Sequence, residues 1–150
     1  MIKHPPHAGC FACGAGNPGG LHLDFQLEPD GSISGRFLGS AAFEGYAGTL
    51  QHGVVATLLD SALAHCLFAR GHCAWASELT VRYFAPVSSG SEITLEARLL
   101  RGRFPDCILE AKLLQDGHCK ASAKGAYMKQ PRIALGLGRA RGEGSKGEGS

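Results

Sequence analysis

Apolar residues follow a helical period in the middle of this chain. Valine, alanine and leucine side chains stand at positions 54, 55, 58, 59, 62 and 63, which is the spacing of a buried helix rather than of a half-exposed strand. The pattern predicts a helix that begins near His52 and runs to about Ala69. Gly71 then supplies the residue type that commonly follows a helix end.

Alternating apolar and polar residues predict strands on both sides of this helix. Alternation covers Leu21 to Leu27, and Asp30-Gly31 then offers a hairpin turn into a strand over residues 32–38. Three or four more strands are predicted after the helix, from the stretches 75–85, 93–101, 107–115 and 121–129, with Asp116-Gly117 turning between the last two. This order predicts an α+β fold in which an antiparallel sheet of five or six strands curls around the helix.

The two ends of the chain differ in composition from the part between them. Residues 1–20 are rich in Pro, Gly, His and Cys, which predicts a segment with little regular structure. Residues 21–130 are predicted to form one domain, because 150 residues with 44% hydrophobic content suffice for a single core. Residues 131–150 are Gly-rich and are expected to be a disordered tail. The arginines of that tail are expected to be solvated: Arg132, Arg139 and Arg141.

Charge and hydropathy exclude several classes of protein. The net charge of +2 indicates no nucleic-acid partner. No apolar run approaches the roughly 20 residues that span a bilayer, and the first residues lack the apolar stretch of a signal peptide. We therefore expect a cytoplasmic protein without a membrane partner. In that compartment the six cysteines are expected to be reduced thiols rather than a disulfide framework.

One carboxylate interrupts the apolar helix. Asp60 lies two turns inside it, where a carboxylate costs free energy unless it is paired or hydrogen-bonded. Folding gives little reason for an acid at this position, so we interpret Asp60 as a general base towards water or as a nucleophile towards a carbonyl carbon. The alternative is a structural hydrogen bond to a neighbouring subunit. His65 on the same helix is expected to be a packed core histidine.

The start of the helix offers a second chemical element. The first N–H groups of a helix have no partner inside it, and they can hold a carbonyl oxygen that becomes negative. Asp60 lies eight residues after His52, which is roughly 12 Å along a helix, whereas reacting groups must approach to about 3 Å. We therefore hypothesise a composite site in a homodimer, with Asp60 of one subunit beside the glycine turn of the other.

Three stretches of the chain resemble the hotdog-fold acyl-CoA thioesterases of the phenylacetic-acid-degradation (PaaI-like) type. They are FEGYAGTLQHGVVATLLDSALAHCLF, SELTVRYFAPV and CFACGAGNPGGLHLDF, and the resemblance covers roughly residues 10 to 128. It implies a hotdog fold, in which an antiparallel sheet wraps one long helix. It also implies a homodimer or a dimer of dimers (a homotetramer), hydrolysis of an acyl-CoA thioester, and no cofactor.

The resemblance assigns roles to the residues before the helix. The family's usual motif is His-Gly-Gly, with an acidic residue nine places after that His. When the motif is aligned on Asp60, Gln51 takes the position of the family's His, and His52 and Gly53 take those of its glycines. The His52 amide is then the oxyanion donor, and Gln51 donates a side-chain hydrogen bond without changing charge near neutral pH. A register one residue later would make His52 the family His and Gly53 the amide donor, and would turn Asp60 by about 100° around the helix. The first register is preferred because three other residues match the family in it: Gly45, Gly48 and Leu50.

The strand after the helix carries the predicted substrate contacts. The resemblance implies that this strand borders the active site, so that Ser77 or Glu78 orients the substrate and Arg82 meets a CoA phosphate. A solvated strand face explains the same alternation of polar residues. Trp75 and Phe84 are expected in the core or at an interface rather than as a platform for adenine.

The N-terminal segment contains a pattern of possible metal ligands. His4, His7, Cys10 and Cys13 recur every three residues and are the ligand types that zinc prefers. No second Cys-x-x-Cys follows, and four ligands within ten residues would strain to form a tetrahedron. The pattern therefore favours a cysteine pair that packs over the sheet edge without a metal, with a structural zinc as the alternative.

These observations together predict a thioester hydrolase that converts an acyl-CoA to a free acid and CoA. The predicted catalytic residues are Asp60, His52, Gly53 and Gln51. A non-catalytic acyl-CoA binding module is an alternative, because Gln51 replaces the family's His. A dehydratase or hydratase of the same fold is a further alternative, although it would usually need a His paired with an acid on the helix.

Overall fold

The structure is a computed structural model that describes residues 7–129, so the predictions for His4 and for residues 131–150 lie outside the described residues. Within residues 7–129 it contains one α-helix and six strands. The elements are β1 (Phe25–Leu27), β2 (Ile33–Leu38), α1 (His52–Phe68), β3 (Ala74–Tyr83), β4 (Glu92–Arg103), β5 (Asp106–Gln115) and β6 (His118–Lys129). The domain boundaries at residues 20 and 130 stay predictions.

The predicted central helix is confirmed. Gln51 is its N-cap, and Gly71 follows its end with a φ of 81°, a left-handed conformation that glycine adopts without steric cost. The amides of Gly71 and His72 bond back to the carbonyl oxygens of Phe68 and Leu67 at 2.9 and 3.0 Å. The side chains that α1 buries are mainly apolar: Val55, Leu58, Leu59, Ala62, Leu63, Cys66 and Leu67.

The sheet is antiparallel throughout and has the strand order β1-β2-β4-β5-β6-β3. The α+β hotdog fold is therefore confirmed, with α1 packed against strands β2 to β6. Every second residue of the central strands is buried, as expected for a sheet with one covered face. The buried positions of β4, β5 and β6 include Ile93, Leu95, Ala97, Leu109, Ala111, Leu113, Ala121 and Ala123. The strand β3 forms one edge of this sheet.

Two strands are shorter than the alternation predicted. Leu21 and Leu23 are buried, but they do not belong to β1, because their amides bond to the carbonyl oxygens of Phe11 and Ala12 at 2.8 and 2.9 Å. The N-terminal segment thus takes the backbone partners that a longer β1 would need. The strand β3 stops at Tyr83 rather than at residue 85, because the next two amides both bond to the Lys120 carbonyl oxygen.

The predicted hairpin turns are confirmed. Asp116 and Gly117 have φ angles of 52° and 76°, which is the backbone conformation of a two-residue hairpin loop. Gly31 has a φ of 86°, and the Glu28 amide bonds to the Ser32 carbonyl oxygen across that turn at 2.8 Å. Among residues 7–129, no helix has the length and apolar character that crossing a membrane requires.

Candidate active site

The start of α1 is held in place by backbone hydrogen bonds to the loop that precedes β4. The Leu50 amide bonds to the Val87 carbonyl oxygen at 2.9 Å, and the Ser89 amide bonds to the Gly48 carbonyl oxygen at 3.1 Å. The buried side chain of Gln115 in turn bonds that loop, accepting from the Ser88 amide at 2.8 Å. The first turn of α1 is therefore anchored on both the loop and the sheet.

Gln51 caps the helix with its side chain. Its Oε1 accepts a hydrogen bond from the Val54 amide at 3.0 Å, so it satisfies one of the orphan donors of the first turn. A Cβ on Gly53 would lie 2.7 Å from that Oε1, so the glycine leaves room for the cap. With Oε1 held by the helix, the Nε2 amino group of Gln51 has no hydrogen-bond acceptor among residues 7–129.

Two backbone amides at the helix start are available to a ligand. The N–H groups of His52 and Gly53 have no acceptor within the described part of the chain, and both residues are exposed. They lie at the positive end of the helix dipole, where a developing negative charge is stabilised. These are the two amides that the alternative sequence registers named as oxyanion donors.

The His52 side chain has a separate contact. Its ring stacks on Tyr83 of β3, with ring centroids 4.4 Å apart and an angle of 20° between the planes. The Tyr83 hydroxyl donates to the His52 carbonyl oxygen at 2.9 Å. Tyr83 thereby links β3 to the helix start, a contact that the strand alternation alone did not predict.

Asp60 has a partner that sequence analysis did not identify. Its Oδ1 accepts a hydrogen bond from the Tyr127 hydroxyl at 2.7 Å, while its Oδ2 has no partner among the residues described. Tyr127 is only 3% exposed. Burial, together with the charge of Asp60, raises the pKa of Tyr127 well above its ordinary value, so its hydroxyl stays a donor.

A run of small inward-facing residues precedes Tyr127 in the sequence. This run could have predicted that the Tyr127 ring is buried beside the helix. Ala121, Ala123 and Gly125 precede it on the covered face of β6. A Cβ on Gly125 would lie 2.9 Å from the Tyr127 ring and 3.1 Å from Leu63. The strand therefore makes space for a large ring beside the helix.

Within one chain, the structure does not bring the Asp60 carboxylate close to the free amides at the start of α1. Asp60 lies on the same helix as His52 and Gly53, so the rise of roughly 12 Å over eight residues separates it from His52. The face of α1 that carries Asp60 is only partly covered by the sheet, and its neighbours are small: Gly53, Ala56, Thr57 and Ala64. This face leaves room for another molecule.

The predicted substrate residues of β3 lie on its exposed side. Ser77 sits at a bulge of the ladder, and its hydroxyl donates to the Ala126 carbonyl oxygen at 3.1 Å. Glu78 and Arg82 are exposed and make no salt bridge within residues 7–129. Trp75 and Phe84 are 47% and 58% exposed, so they are not core residues of a single chain, and their predicted place at an interface stays a prediction. Edge position explains this exposure, because β3 has a neighbouring strand on one side only.

A cleft beside the helix start has the size of a small-molecule site. Its volume is about 450 Å³, within the range of roughly 300–1,000 Å³ that such sites occupy. Its walls are mainly apolar and include His52, Val55, Tyr83, Phe84 and Pro86.

A larger cleft, of about 870 Å³, lies along β1 and β2 and is lined by four carboxylates. They are Asp24, Glu28, Asp30 and Glu96. Their charge would repel an anionic ligand such as CoA, and none of the candidate catalytic residues lines this cleft.

His65 is a core residue, as predicted. It is 3% exposed, and its Nδ1 lies 3.1 Å from the Ser61 carbonyl oxygen, which can only accept. Burial lowers the pKa of His65 to about 4, so the ring is neutral at physiological pH. His65 therefore does not form a histidine and acid pair with Asp60.

Comparison with known proteins agrees with the predicted resemblance. The sequence profile of the thioesterase superfamily matches residues 47–103, which include the helix start, α1 and β3. No curated protein sequence matches this chain.

Solved structures share the fold. A thioesterase superfamily protein aligns with a TM-score of 0.72 and 23% identity over 84% of this chain, which spans only 63% of that protein. A phenylacetic acid degradation-related protein from Ralstonia eutropha JMP134 aligns with a TM-score of 0.67 and 24% identity. The alignment covers 84% of this chain and 91% of that protein. The E. coli PaaI protein aligns with a TM-score of 0.66 and 19% identity, over 73% of this chain and 84% of the PaaI chain. These alignments confirm the hotdog fold.

Proposed function

We propose that this protein hydrolyses an acyl-CoA thioester to a free acid and CoA. The observation that carries the proposal is the anchored start of α1, where two unpaired amides border an apolar cleft. An acyl chain fits the apolar walls, and its carbonyl oxygen can then accept from the amides. The superfamily match over residues 47–103 supports the same chemistry.

The helix start is the proposed oxyanion site. During attack on the thioester carbonyl, negative charge develops on the oxygen, and the amides of His52 and Gly53 stabilise it. The Nε2 group of Gln51 is a third donor, oriented by the bond between its Oε1 and the Val54 amide. Such donors act without reorganisation because the helix already fixes them, and one of them is worth about 10²–10³ in kcat.

Asp60 is the proposed general base. Its Oδ2 takes a proton from water as the water oxygen bonds to the carbonyl carbon. The tetrahedral intermediate then collapses, the carbon–sulfur bond breaks, and the proton passes from Asp60 to the CoA thiolate. Tyr127 is a positioning residue, because it holds Oδ1 at 2.7 Å. Direct attack by Asp60 on the carbonyl carbon is the other mechanism open to this carboxylate.

A second copy of the chain completes the site in this proposal. A separation of roughly 12 Å is too long for one acyl carbonyl to meet the helix start and Asp60 of the same chain. The free edge of β3 and the exposed aromatic residues around it support association of two copies. These residues are Trp75, Tyr83 and Phe84. Glu78, Arg82 and Ser77 then lie on the strand nearest to that contact.

Turnover of a substrate panel tests the proposal directly. Short, medium, long and aromatic acyl-CoA esters are incubated with the purified full chain, and thiol release is followed. Asp60→Asn is expected to lower kcat by about 10²–10⁴-fold, because the amide cannot accept the proton. Asp116→Asn makes the same chemical change in an exposed turn and is expected to keep full activity. Unchanged turnover in Asp60→Asn would remove this residue from the chemistry.

Mixing two inactive variants tests the composite site. Asp60→Asn removes the base, and Gly53→Asp puts a negative charge at the oxyanion site. Each variant alone is expected to be inactive. When they are mixed and allowed to exchange subunits, one intact site forms in each mixed dimer, so about a quarter of the wild-type activity returns. No recovery despite verified exchange would contradict a site shared between subunits.

A non-catalytic acyl-CoA binding module is the second candidate. It is favoured by Gln51, whose amide is engaged in the helix cap and cannot act as an acid or base. Binding of a thioether analogue without turnover of any thioester would support it. An enoyl-CoA hydration assay on the same samples covers the hydratase alternative.

A further inference from the structure

The N-terminal segment brings three possible metal ligands to one point. The ligand atoms of His7, Cys10 and Cys13 all lie within 4.8 Å of one another. The Nδ1 atom of His7 is 3.6 Å from the Sγ atom of Cys13. These residues lie in a part of the chain that the proposed hydrolysis does not use.

We propose that His7, Cys10 and Cys13 bind a structural Zn²⁺ ion. Zinc in proteins has Zn–S distances of about 2.3 Å and Zn–N distances of about 2.0–2.1 Å in a tetrahedron. The edge between a sulfur and a nitrogen ligand of such a tetrahedron is therefore about 3.6 Å, and the edge between two sulfurs is about 3.8 Å. The His7 to Cys13 distance already equals this edge, and the remaining pairs need to close by no more than about 1 Å.

Backbone hydrogen bonds explain why residues three apart converge here. The Cys10 amide bonds to the His7 carbonyl oxygen at 3.0 Å, and the Gly14 amide bonds to the Cys10 carbonyl oxygen at 2.8 Å. Turns of about three residues stack the side chains at i and i+3. A Cβ on Gly14 would lie 2.4 Å from the Cys10 nitrogen and 2.5 Å from the Ala8 oxygen, so this tight path requires glycine.

The chemistry of the donor set favours zinc. Two thiolates and one neutral imidazole are soft to borderline ligands, and Zn²⁺ with two thiolates has no net charge. That neutrality matters because Cys13 is only 9% exposed and Cys10 packs against the core. Three protein ligands leave one position of a tetrahedral site for a fourth ligand.

The location of the cluster indicates a structural role. The His7 ring contacts Phe68, the last residue of α1, with ring centroids 4.7 Å apart. The oxyanion site proposed above lies at the other end of α1, roughly 24 Å away along sixteen residues. Zinc would therefore fasten the N-terminal segment to the end of the helix rather than act on the substrate.

Cobalt substitution tests the proposal on the reduced full chain. Metal is removed with a chelator, Co²⁺ is titrated, and Zn²⁺ is then added to displace it. We expect thiolate-to-cobalt charge-transfer absorption that saturates at one Co²⁺ per chain, and its loss in Cys10→Ser and in Cys13→Ser. Cys119→Ser, which changes a half-buried cysteine on β6, is the matched control and is expected to keep the signal. A signal that survives in both cluster variants would overturn the proposal.

A measurement on the unmodified protein covers variants that fail to fold. Alkylation of the native wild-type chain is followed by peptide mass spectrometry with and without Zn²⁺. Protection of Cys10 and Cys13 by at least tenfold, with no change at Cys119, is expected. Equal alkylation with and without Zn²⁺ would overturn the proposal. Thioesterase activity does not enter either readout, so the two proposals fail independently.

Discussion

Removal of one hydroxyl group, in Tyr127→Phe, tests how Asp60 is held. The variant keeps the buried ring but loses the hydrogen bond of 2.7 Å to Oδ1. Hydrogen bonds to charged groups are worth about 1.5–3 kcal/mol, and water can replace part of this because Asp60 is half-buried. We therefore expect a loss of about 1–2 kcal/mol in the free energy of unfolding.

The free energy of the Tyr127 hydrogen bond also sets how far kcat can fall in Tyr127→Phe. Without the bond, the Asp60 carboxylate populates other orientations, and the productive fraction falls by the corresponding Boltzmann factor. A loss of 1–2 kcal/mol corresponds to a decrease of about 5- to 30-fold in kcat, with KM nearly unchanged. The assay is steady-state thiol release from an acyl-CoA ester, alongside urea unfolding of the same samples.

A double variant separates positioning from general stability. In an Asp60→Asn background, Tyr127→Phe is expected to cause no further loss of activity, because the base is already absent. Ser34→Ala also removes a hydroxyl that donates to a carboxylate, that of Glu28, but far from the proposed site; it is the control and should leave kcat unchanged. Wild-type kcat in Tyr127→Phe would refute the reasoning, as would an equal further loss in the Asp60→Asn background.

Three other variants give sharp outcomes. Gly53→Ala is expected to displace the Gln51 side chain, because the new Cβ would lie 2.7 Å from Gln51 Oε1. We expect a lower kcat. The free energy of unfolding should change by less than about 1 kcal/mol, because the higher helix propensity of alanine offsets the loss of the cap. Burial lowers the pKa of His65 from 6.5 to about 4, so the unfolded chain takes up a proton at this residue before the folded chain does as the pH falls. The free energy of unfolding therefore decreases between pH 6.5 and pH 4, by about 3 kcal/mol in total. His65→Gln is expected to make the free energy of unfolding less dependent on pH in this range. Arg82→Gln is expected to raise KM for an acyl-CoA but not for the acyl-pantetheine ester, which lacks the nucleotide phosphates.

Controls and contrary results for these variants are specific. The His65 unfolding series is run with a chelator in every sample, and His118→Gln changes an exposed histidine of β6 for comparison. An unaltered pH slope in His65→Gln would assign the acid sensitivity to other groups. Retention of full kcat in Gly53→Ala would mean that the Gln51 cap has no part in the oxyanion site. Equal KM changes for both thioesters in Arg82→Gln would argue against a phosphate contact.

Local chemistry made the helix and the hairpin turns predictable from sequence. The apolar spacing from Val54 to Leu63 and the glycine at position 71 act over short distances in the chain, so the predicted end near Ala69 lies one residue from the observed end at Phe68. Asp116-Gly117 likewise carries its turn conformation in its own residue types. The resemblance to hotdog-fold proteins predicted how the sheet wraps the helix. It could be read from the sequence because the residues that carry it, Gly53 and Asp60, are close in the chain.

Contacts between distant segments were not predictable in this way. Tyr127 meets Asp60 across 67 residues, and only the register of β6 beside the helix brings them together. The strand expected from Leu21 was shortened because the N-terminal segment, and not a neighbouring strand, bonds its amides. Trp75 and Phe84 are exposed because the order of the strands leaves β3 at an edge.

The sequence by itself determined the elements and the chemical groups of this protein: a buried helix with one carboxylate, a glycine at its start, and ligand types repeated every three residues. Only the tertiary structure decided which of these groups meet. It joined Tyr127 to Asp60, stacked Tyr83 on His52, and gathered His7, Cys10 and Cys13 against the end of α1. The physical reason is range: periodicity and turn preferences act over a few residues, whereas these contacts depend on strand register and on how the helix packs against the sheet.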